Sequence, residues 1–287
     1  MSSTQASDSK LKIIRTPGRN PCFDEKLGES QSLRMMQIPN GTFLMGSPED
    51  ELDNYENEQP QHEVSIATFF LGKYPITQAQ WRFVAELAKV ERDLDPAPSD
   101  SKDDNHPVER VNWYEAVEFC QRLSRYSKRQ YQLPTEAQWE YTCRAGTTTP
   151  FHFGSSITTE LANYRGTDDK RRGWSGSYGN GPKGDYRGAT TAVDYFKIAN
   201  AFGLCDMHGN VWEWCADHWH ENYEGAPTDG SAWLTDEEGA NRLLRGGSWY
   251  EIPRYCRAAR RNNNKPDDHS NFTLGFRVCC LALRTLQ

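Results

Sequence analysis

The sequence predicts an α+β fold that is rich in loops, with its helices early in the chain and short strands on long connections after them. Three observations predict it. Aromatic residues make up 12% of the 287, nine of them tryptophan, enough to fill a substantial core. Twenty-two glycines and many Asn, Asp and Ser residues speak for irregular connections over tightly layered elements. Beyond Thr147 no apolar pattern keeps a helical period.

Residues 1 to about 30 are polar and unpatterned, which predicts a tail or linker. Order is expected to begin near "LRMMQIPNGTFLMGS", where Asn40-Gly41 between apolar runs signals a hairpin because both residues tolerate positive φ. "HEVSIATFFLGKYPI" reads as a further strand. In "TQAQWRFVAELAKV" Thr77 and Gln80 match a capping box, and Trp81, Val84, Ala85 and Ala88 share one helical face. "NWYEAVEFCQRLSRYSKRQ" repeats that spacing with Trp113, Ala116, Val117, Cys120 and Leu123. "TEAQWEYTCRAG" predicts a shorter helix, capped by Thr135 and Gln138 and closed by Gly146.

A net charge of −7 excludes nonspecific nucleic-acid binding by the whole chain, since neutralising phosphates needs a basic surface. Charge is uneven: Glu49 to Glu63 holds seven acids and no Lys or Arg, whereas Arg242 to Arg284 holds nine bases against three acids. The expectation is a solvated acidic loop, with arginines anchoring the C-terminal half. No apolar run approaches eighteen residues, and "MSSTQASDSK" has no signal-peptide core, so a cytoplasmic protein without a membrane partner is expected. Eight cysteines show no zinc-ligand spacing, and in a reducing compartment most of them read as buried thiols. His208 and His218 read as hydrogen-bonded histidines with no metal partner in sequence.

The stretch "RRNNNKPDDHSNF", Arg260 to Phe272, stands between "RLLRGGSW" and "LGFRV". Asparagine is poor in helix and strand interiors, so a long loop pinned between two strands is expected, with Gly246-Gly247 allowing a bulge or a close backbone approach.

"IPNGTFLMGS", "QLPTEAQWEYTCRAG", "NAFGLCDMHGNVWEWCADHW", "RLLRGGSW" and "LGFRV" together resemble the formylglycine-generating-enzyme (sulfatase-modifying factor) family, over roughly residues 33 to 284. The resemblance implies a single domain over residues 31–287 with a C-type lectin-like fold, often holding calcium. Enzymes of the family carry a copper-binding cysteine pair shortly after the "GGS" turn; here "WYEIPRYCRAAR" holds Cys256 alone. A noncatalytic relative without copper is therefore expected, the alternative being a copper-dependent oxidase that joins Cys256 to Cys279 or Cys280. A branch resembling ergothioneine-type sulfoxide synthases needs an N-terminal helical domain for which about thirty residues leave little room.

A third branch, the variable proteins of diversity-generating retroelements, is similar to this chain in "RGGSW…CR.A.RNNN…GFRV". There, reverse transcription mutates template adenines, and an asparagine codon so altered in its first two bases never yields Met, Trp, Gln, Lys or Glu. From Tyr250 to Thr273 only Glu251 and Lys265 fall outside the reachable set. The resemblance implies a variable region at about 245–280. The candidate contacts with an unknown protein or other macromolecular ligand are Tyr250, Glu251, Ile252, Tyr255, Arg257, Arg260, Asn262, Asn263, Asn264, His269, Ser270, Asn271, Phe272 and Thr273. Their mixture is that of a paratope, Tyr and Phe giving area while Asn and Ser give adaptable hydrogen bonds. Trp249, Pro253, Gly275 and Phe276 read as the fixed frame.

Calcium wants six to eight oxygens. By resemblance, "DMHGNVWE" supplies a first site through Asp206, Glu213 and the carbonyls of Gly209 and Val211. A second maps to Asn163, Asp185 and the carbonyls of Tyr164 and Arg187. The bland reading of Glu213 is an ion pair with a buried arginine such as Arg277.

Overall fold

The computed structural model describes residues 14, 16, 18–100 and 102–281. Much of the expected N-terminal tail lies outside these residues, but its end does not behave as a linker. Cys22–Leu27 (β1) turns back through Gly28, at φ +66°, and pairs antiparallel with Gln31–Ile38 (β2). Alternation in "CFDEKL" points Phe23, Glu25 and Leu27 inward, a signal too short to stand out in a polar stretch.

Gly41–Met45 (β3) follows β2, yet Asn40-Gly41 is no hairpin. β2 lies in one sheet and β3 pairs with His62–Ile66 (β4) in another. Gly41 serves close approach instead: a Cβ there would sit 2.5 Å from the Tyr141 hydroxyl. The apolar run after β4 divides likewise, its second half being Phe69–Gly72 (β5) beside β2.

All three helices begin as expected. Gln78–Ala85 (α1) starts at Thr77 and Trp113–Ser127 (α2) at Asn112, each with both hydrogen bonds of a capping box. Trp81 of α1 stacks on Phe119 of α2 at 5.6 Å, and Phe276 meets both edge-on. Each such buried side chain contributes about 1.5–3 kcal/mol. α1 ends before Ala88, which is exposed. Tyr131–Gln132 (β6) leads to Glu136–Arg144 (α3), capped by Thr135 and Gln138 and ended by Ala145 in the left-handed region ahead of Gly146.

No α-helix follows α3 among the described residues. Trp212–His218 (β7), Arg242–Arg245 (β8), Arg261–Asn264 (β9) and Leu274–Gly275 (β10) form a four-stranded sheet in the order β10-β7-β8-β9. Cys279–Leu281 (β11) closes the five-stranded sheet β1-β2-β5-β11-β6. No helix among the described residues is long and apolar enough to cross a membrane.

The asparagine run is not a loop. Arg261, Asn262, Asn263 and Asn264 form β9, antiparallel to β8 with Asn262 opposite Leu244 and Asn264 opposite Arg242. Tertiary pairing overrides propensity here, because Arg261 is wholly buried against Glu136 and holds the strand in place. Nor is the acidic loop simply solvated. Glu51 and Glu58 are buried and bind Arg257, with Arg257 Nη1 2.5 Å from Glu51 Oε1 and Arg257 Nη2 2.7 Å from Glu58 Oε1. Arg245 is held by Glu136 and Glu140 of α3, and Arg277 by Glu213 of β7. The arginines of the C-terminal segment thus tie it to the first half of the chain.

Candidate functional site

After β8 the chain passes Gly246 (φ +99°) and Gly247 (φ +75°). A Cβ on Gly247 would come within 2.6 Å of Cys256 Sγ, so this turn and the short 3-10 helix Pro253–Cys256 pack backbone against side chain. Facing them is the segment 165–187, almost without strands but compact: a Cβ on Gly176 would lie 2.1 Å from the Gly166 carbonyl oxygen. Asp169 accepts from Arg165 at 2.9 Å and from Arg172 at 2.7 Å, fixing the hairpin-like turn that carries Trp174.

The two segments meet in a continuous strip of rings. Tyr186 stacks on Trp249 (6.0 Å), Trp249 meets Tyr250 and Phe272 (5.7 and 5.6 Å), and Tyr250 meets Phe272 (5.9 Å). Trp174 links Tyr250 to Tyr255 at 6.2 and 5.9 Å. Arg260 continues the strip, 5.1 Å from the Tyr255 ring and 3.8 Å from that of Tyr55. Arg172 spans Trp174 and Tyr250 and donates to the Tyr250 hydroxyl at 2.6 Å. These rings are half-buried, Phe272 more exposed, and so present a firm amphipathic face.

Four of the expected contacts therefore come together: Tyr250, Tyr255, Arg260 and Phe272. Three others are corrected. Ile252, Arg257 and Thr273 are 2%, 0% and 5% exposed, and cannot reach a ligand. Ile252 and Thr273 are packed inside, and Arg257 spends its guanidinium on Glu51 and Glu58.

Glu251 is half-buried, hydrogen-bonded to Trp212, and its carboxyl is held above the usual range by burial. It serves the frame, and it is one of the two residues that adenine changes in an asparagine codon cannot produce. Several polar positions satisfy their own surroundings: Asn263 accepts from Asn241 (2.7 Å), Asn264 donates to Asp268 (2.7 Å), Ser270 donates to Asp268 (2.6 Å), and Asn271 accepts from Thr273. His269, exposed, accepts from Asn112 at the start of α2 and lies 3.5 Å from Glu115, away from the strip. Asn262 lies on β9 next to Arg261, partly buried and opposite Leu244.

Tyr55, Arg165, Arg172, Trp174 and Tyr186 escaped sequence reasoning. They come from segments without any period, and their one signal is composition, as in "RGTDDKRRGW".

The thiols do not form the pair that the oxidase alternative requires. Cys256 packs with Phe151, Ile157, Tyr164 and Tyr178; Cys279 belongs to a second core cluster and Cys280 to a third. Burial raises the thiols of Cys256 and Cys279, and pushes that of Cys280 up to about 11. His208 is a structural histidine: Nδ1 donates to the Cys256 carbonyl at 2.7 Å while Nε2 accepts the His152 N–H at 3.1 Å, a pattern only the neutral ring allows.

The first calcium set does not fit. Glu213 faces Arg277 through both oxygens, at 2.6 and 2.7 Å, and also accepts from the Trp139 indole at 2.7 Å, so its charge is already met. The carbonyl of Gly209 accepts from Val211. Asp206 alone keeps a buried unpartnered oxygen, and burial pushes its pKa up to about 8. At the second set Asn163 Oδ1 is also buried without a partner, but Asp185 is exposed. Tyr164 is buried, and the Arg187 guanidinium, bonded to the Thr159 carbonyl, brings a positive charge to the neighbourhood. No group of three or more His, Cys, Asp or Glu among the described residues is arranged to hold a metal ion.

The profile of the sulfatase-modifying factor enzyme 1-like domain matches residues 25–281. The serine/threonine-protein kinase pkn1 of Chlamydia caviae is 30% identical over 92% of this chain, which spans only 41% of that kinase. The formylglycine-generating enzyme of Mus musculus is 28% identical, over 88% of this chain and 76% of its own length. Among solved structures, Treponema denticola variable protein 1 superposes with a TM-score of 0.69 at 24% identity, covering 91% of this chain and 99% of that one, a likeness of fold.

Proposed function

Because the chain belongs to the sulfatase-modifying factor enzyme 1-like family, whose fold also serves a protein named as variable, we propose that it is a noncatalytic receptor built on a C-type lectin-like frame. Its ligand is a protein or other macromolecule, bound by the strip around Tyr250, Tyr255 and Phe272, and the coding DNA of that strip is diversified by a retroelement through adenine mutagenesis. The observation that carries the reading is the strip itself: Tyr250, Tyr255 and Phe272, all reachable from asparagine codons, meet through Trp174 on one partly exposed face. Exchange of the outer set leaves the core and its ion pairs untouched.

The absence of a Cys256 partner at Cys279 or Cys280 favours binding over the oxidase. Eight free cysteines fit a reducing compartment, the cytoplasm. Any calcium is structural and belongs to the second set, through Asn163 and Asp185.

The test is genetic and direct. A near-duplicate of the DNA encoding Tyr250 to Thr273 should lie beside a reverse-transcriptase gene, with mismatches confined to adenines and falling in the codons of Tyr250, Tyr255, Asn262 and Phe272. Mismatches spread over all four bases would overturn the diversification. Conversion of a substrate cysteine to formylglycine by the purified chain, lost on Cys256→Ser, would replace the receptor with the oxidase.

A further inference from the structure

Buried arginines of the C-terminal half each hold a carboxylate: Arg245 with Glu136 and Glu140, Arg257 with Glu51 and Glu58, Arg261 with Glu136, and Arg277 with Glu213. Arg260 breaks the rule. Its Nε and Nη1 are shut off from solvent and have no acceptor, and its guanidinium makes no hydrogen bond to the protein. Glu58 lies within electrostatic reach, but both its oxygens are engaged by Arg257, at 2.9 and 2.7 Å. A guanidinium carries five N–H donors and does not give up its proton. Largely buried, the Arg260 guanidinium is stabilised in part by the two tyrosine faces and still lacks a hydrogen-bonding acceptor.

This charge sits at one end of the aromatic strip, between Tyr55 and Tyr255. One acid belongs to the strip, Glu251, half-buried, bonded to the Trp212 indole and within electrostatic reach of Arg260, Arg172 and Arg165 alike. Across the strip, the segment Arg165 to Arg172 adds four cations against two acids, in a chain whose net charge is −7. The strip therefore carries more cations than carboxylates while offering flat apolar area beside them.

We propose that Arg260 is the anchor of the binding surface, taking the carboxylate of an Asp or Glu side chain on a protein partner, with an aromatic or apolar neighbour of that acid lying on Tyr255, Trp174 and Tyr250. The inference rests on the strip being a binding surface and goes further by naming what it recognises. The partner's carboxylate enters at Nη2, the edge that is not enclosed, and meets the guanidinium's charge from its open side. A charge-assisted bond of this kind discriminates an acid from its neutral amide by about tenfold or more.

The experiment uses the full chain uniformly labelled with 15N. The Nε–H resonance of Arg260 is assigned by its loss in Arg260→Gln, and two blocked dipeptides serve as probes, acetyl-Glu-Tyr-amide and acetyl-Gln-Tyr-amide. The Glu probe should move that resonance saturably and bind about tenfold more tightly than the Gln probe, an advantage lost in Arg260→Gln. Removal of an unpaired buried charge should leave that variant folded; should it unfold, Arg260→Lys, which keeps the charge and loses the planar fork, must reduce the Glu preference instead.

Equal binding of the two probes, or no movement of Arg260 by the Glu probe, overturns the anchor. The same shift produced by inorganic phosphate at equal concentration also overturns it, showing an unselective anion site. Backbone amides of Tyr250 and Phe272 that respond to both probes while Arg260 stays silent would leave the binding surface standing without this anchor. Silence at Tyr250, Phe272 and Arg260 alike refutes both.

Discussion

Glu213→Gln is the sharpest test of the frame beneath the strip. The glutamine oxygen, placed where Oε2 stands, can still accept from the Trp139 indole and from Arg277 Nε, but Arg277 loses its counter-charge and Nη2, held at 2.7 Å by Oε1, faces an amide NH₂. Arg277 is 0% exposed, and water cannot replace the carboxylate. Removing one partner of such a pair costs about 3–5 kcal/mol. For a domain of this size that corresponds to a fall in melting temperature of roughly 10 °C. Urea denaturation of wild type, Glu213→Gln and Glu213→Gln/Arg277→Met measures it, and the double variant should recover at least about half of the loss because no unpaired charge remains. Each is run in excess calcium and in excess chelator. A single variant within about 1 kcal/mol of wild type would refute the ion-pair argument. A loss that appears only with calcium present would show that Glu213 is a metal ligand after all.

Further outcomes follow from the same geometry. Arg257→Asn leaves Glu51 and Glu58 buried without their cation and should cost more than about 3 kcal/mol, whereas Tyr250→Ala and Phe272→Ala should each stay within about 1 kcal/mol, as read by chemical denaturation. Burial lowers the pKa of His208 to about 4, below the 6.5 of an unperturbed imidazole; the unfolded chain then binds the extra proton, so the histidine's contribution is complete above pH 6.5 and is lost as pH falls towards 4. Stability followed by urea titration between pH 7 and 4 should show that slope, and His208→Gln should flatten it. Calcium titrated calorimetrically should give at most one site, and Asn163→Ala should abolish it while Asp206→Asn leaves it unchanged.

The sequence made the beginnings of the helices plain, because capping is local: Thr77, Asn112 and Thr135 need only a partner three residues on. It misled wherever the deciding partner is distant. Asn262 to Asn264 lie in a strand because β8 and the pair Arg261–Glu136 hold them there, across 125 residues of chain. Asn40-Gly41 has the chemistry of a turn but joins two sheets, since Gly41 must admit Tyr141. The binding strip was half legible. Tyr250, Tyr255, Arg260 and Phe272 lie in the Tyr250 to Thr273 segment that the resemblance singled out, while Trp174, Tyr186 and Tyr55 arrive from segments whose conformation is set by glycine contacts and ion pairs that leave no periodic trace.

Arg257 and Arg261 are four positions apart, and each is seated in its own carboxylate cradle on the far half of the chain. Inserting or deleting a single residue between them would pull one guanidinium out of its cradle, and a similar change in β9 would turn its side chains to the opposite face of the sheet. The architecture therefore accepts novelty letter for letter and rejects changes of length. A mutator that swaps bases without shifting the frame is the kind of editor such a scaffold can survive.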